Sequence, residues 1–184
     1  MLRQTASEGV VGRGATRRTP QCKFVTDCGC ARWITGRPRG AYAVDHLASP
    51  TRCDAVPTHQ PFLSLIYVIE QQDESPWNKG ALYNIGARVA LADGFPCLVL
   101  HDVDLFPLDI ANLYACAYQP RHMSASIDKF RYVLPYSNLV GGVCALQSEH
   151  YKRINGFSNR YIGWGGEDDD LTLRIQRHGL HVIR

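Results

Sequence analysis

The sequence predicts an α/β fold, and three consecutive segments in its middle carry that prediction. Residues 65–69 form a short apolar run, Leu-Ile-Tyr-Val-Ile, which is typical of a buried strand. A helix is predicted over residues 78–92, because Asn78 can cap its first turn and an Asp-Gly pair follows its last. A second apolar run follows at residues 97–100. A strand, a helix and a strand joined by brief links form a βαβ unit, which predicts a sheet with parallel pairing.

The elements around this unit are predicted from the same kinds of pattern. The buried stripe of the helix is expected to consist of apolar side chains about one turn apart: Leu82, Ile85 and Val89. Residues 139–146 form another apolar run, interrupted by Gly141 and Gly142. Paired glycines in a strand indicate either the close approach of a ligand or of another backbone, or a bulge. Residues 180–183 are predicted to begin a further strand.

Composition predicts one globular domain preceded by a basic segment. The chain has 184 residues, of which 45% are hydrophobic and 20% charged, as in ordinary globular domains. Residues 1–58 are rich in Arg, Gly, Thr and Pro without a sustained period, so we predict a segment that is poorly ordered or only locally structured there, and a second region over residues 59–184. No basic patch interleaved with aromatic residues argues for nucleic acid, and no apolar run of about 18 residues predicts a membrane span.

Two acidic residues come directly after the second predicted strand, in His-Asp-Val-Asp at residues 101–104. Ligands of open α/β sheets bind beyond the carboxyl ends of the strands. In extended backbone, Asp102 and Asp104 would leave the same face. Two hard oxygen donors so placed suit Mn²⁺ or Mg²⁺ with a diphosphate completing the shell. The alternative is a solvated turn.

Four consecutive carboxylates, residues 167–170, follow a Gly-Trp-Gly-Gly loop at residues 163–166. A helical pattern starts with them, because Leu171 and Ile175 share one face and Gly179 stands where a helix would end. One or two acidic residues would suffice to cap such a helix, whereas four adjacent ones repel each other. We therefore favour carboxylates that hold a polyhydroxylated ligand, with a base among them, over helix capping alone.

Three motifs, taken in order, resemble those of the β-1,4-galactosyltransferase family. They are His-Asp-Val-Asp-Leu-Phe-Pro (101–107), Gln-Pro-Arg-His-Met-Ser…Asp-Lys-Phe (119–130) and Gly-Gly-Val…Ile-Asn-Gly-Phe…Gly-Trp-Gly-Gly-Glu-Asp-Asp-Asp (141–170). The resemblance covers about residues 66–184. It implies a GT-A nucleotide-sugar transferase fold, which is a Rossmann-like mixed sheet flanked by helices. It also implies Mn²⁺ and inverting β-1,4 transfer of galactose or N-acetylgalactosamine from a UDP-sugar to an N-acetylglucosamine terminus of a glycan.

The resemblance also implies roles for individual residues. Asp168 is implied to be the general base, with Glu167 beside it in the catalytic centre, and Asp104 to be the metal ligand. The implied donor contacts are Trp77, Lys79, Asp102, Val103, Lys129, Leu139 and Trp164, the last on a mobile loop. The implied acceptor contacts are Tyr136, Gly142, Trp164 and Asp169, together with Glu167. Cys97 and Cys116 match a family disulfide, which fits a secretory lumen.

One position bears on the choice of donor. Galactose-selective members of the family carry Tyr where this chain has Leu139. A smaller aliphatic residue leaves room for an acetamido group. We therefore expect UDP-N-acetylgalactosamine to be used at least as well as UDP-galactose.

The resemblance further implies a chain that is incomplete at both ends. The family's uridine-binding Phe-Arg-x-Arg motif is not found before residue 65, and the Met and His that complete its metal site would lie beyond Arg184. Residues 1–58 are expected to be unrelated to the family, and its membrane anchor is not found. The implied location is the Golgi lumen. The alternatives are an inactive sugar-binding remnant and a non-functional fragment of such an enzyme.

Overall fold

The computed structural model describes residues 65–184 in full and, before them, the backbone of three short strands. These strands are β1 (Leu2–Gln4), β2 (Cys30–Gly36) and β3 (Tyr42–Asp45). The later elements are β4 (Leu65–Gln71), α1 (Lys79–Ala92), β5 (Cys97–His101), β6 (Leu105–Pro107), β7 (Arg121–His122), a 3₁₀ turn (Asp128–Phe130), β8 (Val143–Gln147), α2 (Ser148–Arg153) and α3 (Glu167–Arg177). The α/β class is confirmed. The predicted boundary after residue 58, like most of the basic segment, lies outside the described residues.

The strands of the described residues form three small sheets. Strand β1 pairs antiparallel with β6, and β2 lies between β3, which is antiparallel to it, and β4, which is parallel. Strand β8 lies between β5 and β7 and is antiparallel to both. The predicted parallel pairing of β4 with β5 is therefore wrong. An apolar run predicts that a strand is buried, but it does not determine which strand becomes its hydrogen-bonding partner.

Helix α1 has the predicted bounds but a different buried face. The Asn78 side chain accepts a hydrogen bond from the Ala81 N–H at 2.9 Å and caps the first turn as predicted. Leu82 is buried, whereas Ile85 and Val89 are only partly so. The remaining buried positions are small: Gly80, Ala81, Gly86, Ala87 and Ala90. A Cβ at Gly86 would stand 2.8 Å from Ile69 of β4, so the close approach of helix and strand requires small residues on this face.

The core is built on the two faces of β8. Val143 and Ala145 pack into one apolar cluster, while Cys144 and Leu146 pack into the larger one on the opposite face. This alternation follows from the period of two in a strand, and burial on both faces explains the continuous apolar run. The larger cluster also holds side chains from α1, β5, α2 and α3: Ala87, Ala90, Leu98, Leu100, Tyr151, Leu171 and Ile175.

The end of the described chain is tied back to β7. Helix α3 stops at Arg177, and Gly179 takes a positive φ of 70°, as predicted for the helix end. The strand predicted over residues 180–183 is reduced to one parallel bridge between Ile183 and Arg121. No helix in the described part of the chain is long and apolar enough to cross a membrane.

Ile175 offers a test of this packing. Its side chain is 0% exposed, so Ile175→Ala is expected to lower the free energy of unfolding by about 2–5 kcal/mol through lost burial and a residual cavity. Leu173→Ala is the matched control, because Leu173 lies on the same helix and is 45% exposed; its effect should stay within about 0.5 kcal/mol. Urea unfolding measures both. Equal effects would contradict the described orientation of α3.

Candidate active site

The candidate site lies where the end of β5 meets the first turns of α1 and α3. A cleft opens there, and its lining includes three of the predicted site residues, Lys79, Gly142 and Asp168. Two more predicted residues, Asp102 and Glu167, contact Lys79 directly. The remaining lining residues are Tyr83, Leu100, Val140, Gly141, Cys144, Phe157 and Leu171. Residues far apart in sequence are thus brought together.

Lys79 joins two of the predicted motifs. Its ammonium lies 2.8 Å from Oδ1 and 2.9 Å from Oδ2 of Asp102, and 3.4 Å from Oε1 of Glu167. Burial lowers the pKa of Lys79, but the charge and hydrogen bond of Asp102, together with the charge of Glu167, outweigh burial and raise this pKa above its usual value. Lys79 is therefore a permanent cation between the end of β5 and the start of α3.

The backbone turns directly after β5 instead of staying extended. The Asp102 N–H donates to the Gly142 carbonyl at 2.9 Å, which continues the antiparallel register of β5 with β8. The Leu105 N–H donates to the Asp102 carbonyl at 3.2 Å, which closes a turn over Val103 and Asp104. The extended backbone expected for residues 102–104 is therefore wrong, because Val103 and Asp104 lie in a turn. No group of three or more His, Cys, Asp or Glu side chains among the described residues is arranged to hold a metal ion.

The four carboxylates at the start of α3 point to different partners. Glu167 faces Lys79, Asp169 accepts a hydrogen bond from the Tyr136 hydroxyl at 3.0 Å, and Asp170 accepts one from Arg174 at 2.6 Å. All four lie in the first helical turn, where the helix dipole favours negative charge. Repulsion among the four carboxylates is thereby reduced by three separate partners, Lys79, Tyr136 and Arg174.

Asp168 is the exception among them. In the part of the chain that the structure describes, its carboxylate accepts a bond from the Asp169 N–H at 3.0 Å and has no salt-bridge partner. Burial, followed by the charges of Glu167 and Asp169, raises the pKa of Asp168 above the usual value for a carboxyl group. A carboxylate with a raised pKa and no cation bonded to it is a better proton acceptor than its neighbours.

The glycine pair lets Asp168 lie against the backbone. A Cβ at Gly141 would collide with the carboxylate of Asp168, so a larger residue there would displace it. Gly142 has a positive φ of 91°, which a residue with a side chain rarely adopts. The prediction named a ligand, another backbone or a bulge, whereas the groups close to the pair are side chains of the protein itself, Asp168 at Gly141 and Ser124 at Gly142.

The Arg-His-Met-Ser segment supports the same glycines from behind. Ser124 Oγ donates to the Gly141 carbonyl at 2.8 Å and accepts from the Val143 N–H at 2.8 Å. His122 Nε2 lies 3.0 Å from the Gly141 carbonyl. Burial lowers the pKa of His122 to about 4, so the ring is neutral and serves as a structural hydrogen-bond donor. This motif shapes the cleft without lining it.

The tryptophan loop is exposed beside the cleft. Trp164 is 96% exposed, and the glycines around it, Gly163, Gly165 and Gly166, all have a positive φ. The Gly163 N–H donates to the Trp77 carbonyl at 2.7 Å, so the start of the loop is attached to the residue before the α1 cap. Trp77 is itself 50% exposed. Two large apolar rings are thus presented near the charged cluster.

Some predicted residues lie outside the lining of the cleft. Val103 is exposed in the turn after β5, and Lys129 is exposed with its ammonium 5.8 Å from the Phe130 ring centre. Leu139 is half-buried beside Val140, which does line the cleft. Their donor roles stay predictions.

Residues that the motif analysis missed also contribute. Tyr83 donates from its hydroxyl to Asp102 Oδ1 at 2.7 Å. Asn84 accepts from the Phe157 N–H at 3.0 Å and donates to its carbonyl at 2.9 Å, which fixes the segment before the tryptophan loop. The spacing of Tyr83 four residues after Lys79 was an available signal, because such residues share one helical face. Asn84 gave only a weak signal as a polar residue in an apolar stretch.

The disulfide implied by the resemblance is present. Cys97 and Cys116 are bonded, with their Cα atoms 5.6 Å apart. Their bond ties the start of β5 to the loop before β7. Cys144 is free, buried in the core, and burial raises the pKa of its thiol to about 12.

A mixed α/β fold with acidic side chains beside a cleft is shared by many enzyme classes, and comparison with known proteins specifies the family. The model described as the N-terminal region of glycosyl transferase group 7 matches residues 54–117, and the model described as the N-terminal domain of galactosyltransferase matches residues 121–184. The chain belongs to the β-1,4-galactosyltransferase family.

Several curated relatives match the same region. β-1,4-Galactosyltransferase 6 of Rattus norvegicus is 45% identical over 119 residues, which are 64% of this chain and 31% of that protein. β-1,4-Galactosyltransferase 5 of Sus scrofa is 46% identical over 119 residues, with the same coverage of 64% and 31%. β-1,4-Galactosyltransferase 1 of Mus musculus is 48% identical over 120 residues, covering 65% and 30%. The chain spans about a third of the length of these relatives.

Solved structures confirm the GT-A fold. The catalytic domain of Drosophila β-1,4-galactosyltransferase 7 in complex with xylobiose has a TM-score of 0.58 and 36% identity, and the match covers 65% of this chain and 51% of that one. A mutant of that enzyme in complex with manganese, UDP-Gal and xylobiose has a TM-score of 0.56 and 35% identity, with coverage of 65% and 51%.

The position of Lys79 generates a stability prediction. Lys79→Met keeps the aliphatic stem but leaves Asp102 and Glu167 without their shared cation, so the free energy of unfolding should fall by about 1–3 kcal/mol. Lys152→Met is the control, because Lys152 pairs with Glu149 at 2.9 Å in an exposed position, with side chains 55% and 79% exposed. Its effect should be below about 0.5 kcal/mol. Urea unfolding at neutral pH distinguishes the two, and similar losses would argue against a structural role for the Lys79 cluster.

Proposed function

We propose that this chain is the partial catalytic region of an inverting transferase that moves galactose or N-acetylgalactosamine from a UDP-sugar to a terminal N-acetylglucosamine in a β-1,4 linkage, in glycoprotein or glycolipid glycosylation. The observation that carries the proposal is Asp168, a partly buried carboxylate with a raised pKa at the edge of the cleft. The names of the relatives and the UDP-Gal complex of the solved neighbour support the choice of donor class.

The chemistry that we propose is one in-line displacement. Asp168 accepts the proton of the acceptor hydroxyl while the hydroxyl oxygen bonds to the anomeric carbon of the donor sugar. The bond from that carbon to UDP breaks, and UDP leaves with the electron pair, so the configuration inverts. General base assistance of this kind contributes typically about 10²–10⁴-fold in rate.

The acceptor is proposed to bind on the α3 side of the cleft. Asp169 is positioned there by the Tyr136 hydroxyl. Burial and the hydrogen bond to Asp169 raise the pKa of Tyr136 to about 12, so the hydroxyl stays protonated and keeps donating. Glu167 and Asp169 would then accept hydrogen bonds from sugar hydroxyls, Gly142 would leave room for the ring, and Trp164 would cover its apolar face.

The donor is proposed to bind on the α1 side. Lys79 is a cation that lines the cleft, and a diphosphate would attract it. The Asp102 carboxylate and the donor diphosphate are both anions and repel each other. Asp102 would therefore contact the neutral hydroxyl groups of the sugar nucleotide. Trp77 and Trp164 are exposed enough to cover the nucleotide sugar, while Val103 and Lys129 would contact it from the adjoining turns.

Manganese is part of the proposal, but the described residues do not form its site alone. Asp104 is the carboxylate that we assign to it, and oxygens of the donor diphosphate would add ligands. Because no three ligating side chains of the described residues converge, we assign no chemical step to the metal. When bound, Mn²⁺ would supply charge neutralisation for departing UDP.

We propose the Golgi lumen as the compartment. The Cys97–Cys116 disulfide supports a location in the secretory pathway, since such bonds persist in oxidising compartments.

Replacement of two neighbouring carboxylates tests the base. Asp168→Asn should lower transfer at least about 10²-fold while the protein stays folded, because the proton acceptor is removed. Asp170→Asn is the matched control: Asp170 lies in the same helical turn, but it pairs with Arg174 at 2.6 Å and faces no substrate in the proposal. UDP release with UDP-galactose, N-acetylglucosamine and Mn²⁺ measures both, and circular dichroism verifies folding.

Two results would contradict the proposal. Equal activity of Asp168→Asn and wild type would remove Asp168 as the base. A folded wild type that binds N-acetylglucosamine but releases no UDP would favour the inactive sugar-binding remnant.

Leu139 predicts the donor preference. We expect wild type to use UDP-N-acetylgalactosamine at least as well as UDP-galactose, and Leu139→Tyr to lower kcat/KM for the former about tenfold or more relative to the latter, since the larger ring would occupy the space of the acetamido group. Side-by-side transfer assays give the ratio. A strong wild-type preference for UDP-galactose would refute this role of Leu139.

A further inference from the structure

We propose that Tyr83 is a positioning residue that holds the Asp102 carboxylate in place while the nucleotide-sugar donor is bound. This inference rests on the proposed function and concerns the donor half of the same site. It adds a residue to which neither the motifs nor the comparisons give a role.

The starting observation is that Asp102 has two different partners. Tyr83 donates its hydroxyl proton to Oδ1 at 2.7 Å, while Lys79 contacts both oxygens at 2.8 and 2.9 Å. Burial, followed by the charge of Asp102, raises the pKa of Tyr83 well above its usual value. The hydroxyl therefore remains a neutral hydrogen-bond donor at any physiological pH.

The two partners differ in rigidity. The Tyr83 ring stacks on the Phe157 ring, with centres 5.2 Å apart and planes 20° from parallel. The backbone of Phe157 is held on both sides by the Asn84 side chain, at 3.0 and 2.9 Å. Lys79 instead carries its charge on a flexible four-carbon stem. Tyr83 is thus the fixed partner of Asp102, and Lys79 is the movable one.

Charge decides which partner remains when the donor arrives. A diphosphate carries more negative charge than a single carboxylate, so it competes with Asp102 and Glu167 for Lys79. The diphosphate does not compete with Asp102 for the neutral Tyr83 hydroxyl, which therefore keeps its hydrogen bond to Asp102. The carboxylate therefore retains its orientation toward the hydroxyls of the donor at the moment when its cation is drawn away.

The test removes one hydroxyl at two matched places. Tyr83→Phe keeps the ring and its stacking, and deletes only the bond to Asp102. Tyr67→Phe is the control, because the Tyr67 hydroxyl also donates to a carboxylate, Asp93 Oδ2, at 2.6 Å, but at the far end of α1. Titration calorimetry with UDP-galactose and steady-state transfer to N-acetylglucosamine are measured on the whole chain.

We expect Tyr83→Phe to raise the Kd and the KM for UDP-galactose about tenfold, with the KM for N-acetylglucosamine within about twofold of wild type. Tyr67→Phe should leave both donor constants unchanged. In an Asp102→Asn background, Tyr83→Phe should add less than about twofold, because the partner it positions is already altered. If Tyr83 had a purely structural role, Tyr83→Phe would weaken donor binding as much in the Asp102→Asn background as in wild type.

Each contrary result has a distinct meaning. Wild-type donor affinity in Tyr83→Phe, measured in a chain that binds and transfers, overturns the role of Tyr83 and leaves the proposed function standing. Equal losses in Tyr83→Phe and Tyr67→Phe overturn it too, since they would report a general effect on α1. A folded wild type that binds no UDP-galactose overturns the proposed function and this role with it.

Discussion

Lys79 lies between two carboxylates that reach it from opposite sides of the cleft, and the arrangement of the site depends on that contact. Asp102 stands at the end of β5 and Glu167 at the start of α3, so one ammonium group connects three elements. The three side chains are 25%, 26% and 10% exposed. Removing charges from water costs free energy that only close opposite charges and hydrogen bonds offset. Once α1 is anchored on β4, this contact fixes where the two acidic motifs must lie.

The remaining acidic residues show how a run of four carboxylates can be accommodated. The turn geometry of α3 sends consecutive side chains in different directions, about 100° apart. Three of the four therefore meet a separate polar partner: Lys79 for Glu167, Tyr136 for Asp169 and, one turn along the same helix, Arg174 for Asp170. Asp168 instead lies against Gly141. Repulsion within the run is reduced by distinct partners, and helix capping alone would need none of them.

The sequence allowed the elements and the identity of the acidic motifs to be predicted, because each depends on a local pattern. The N-cap at Asn78, the buried face of Leu171 and Ile175 and the end of α3 near Gly179 are of this kind. Strand pairing was not predictable in the same way, because the apolar pattern of a strand does not determine which strand pairs with it. In the structure, β4 pairs with β2 and β5 pairs with β8.

The site was predictable in composition but not in geometry. The motif at residues 101–104 indicated chemistry, yet its backbone turns between Asp102 and Leu105, which the spacing of the two aspartates does not determine. Tyr83 and Asn84 act through contacts with Asp102 and Phe157 that no local spacing encodes. The four-residue interval from Lys79 to Tyr83 indicated only that these two side chains share one face of α1, not that they contact Asp102.

Asp168, the candidate general base, affects the stability of the fold differently from the carboxylates beside it. Its folded-state pKa is raised, so the folded protein binds its proton more tightly than the unfolded chain does. The contribution of this group to stability is therefore fully present below the unfolded pKa of about 4 and is lost as pH rises through the folded pKa, the reverse of the usual carboxylate. At neutral pH the ionised Asp168 lowers stability, whereas Glu167 and Asp170 are paired with cations. A group that weakens the fold in its working protonation state, held against Gly141 at a cleft, is better explained by proton transfer than by packing.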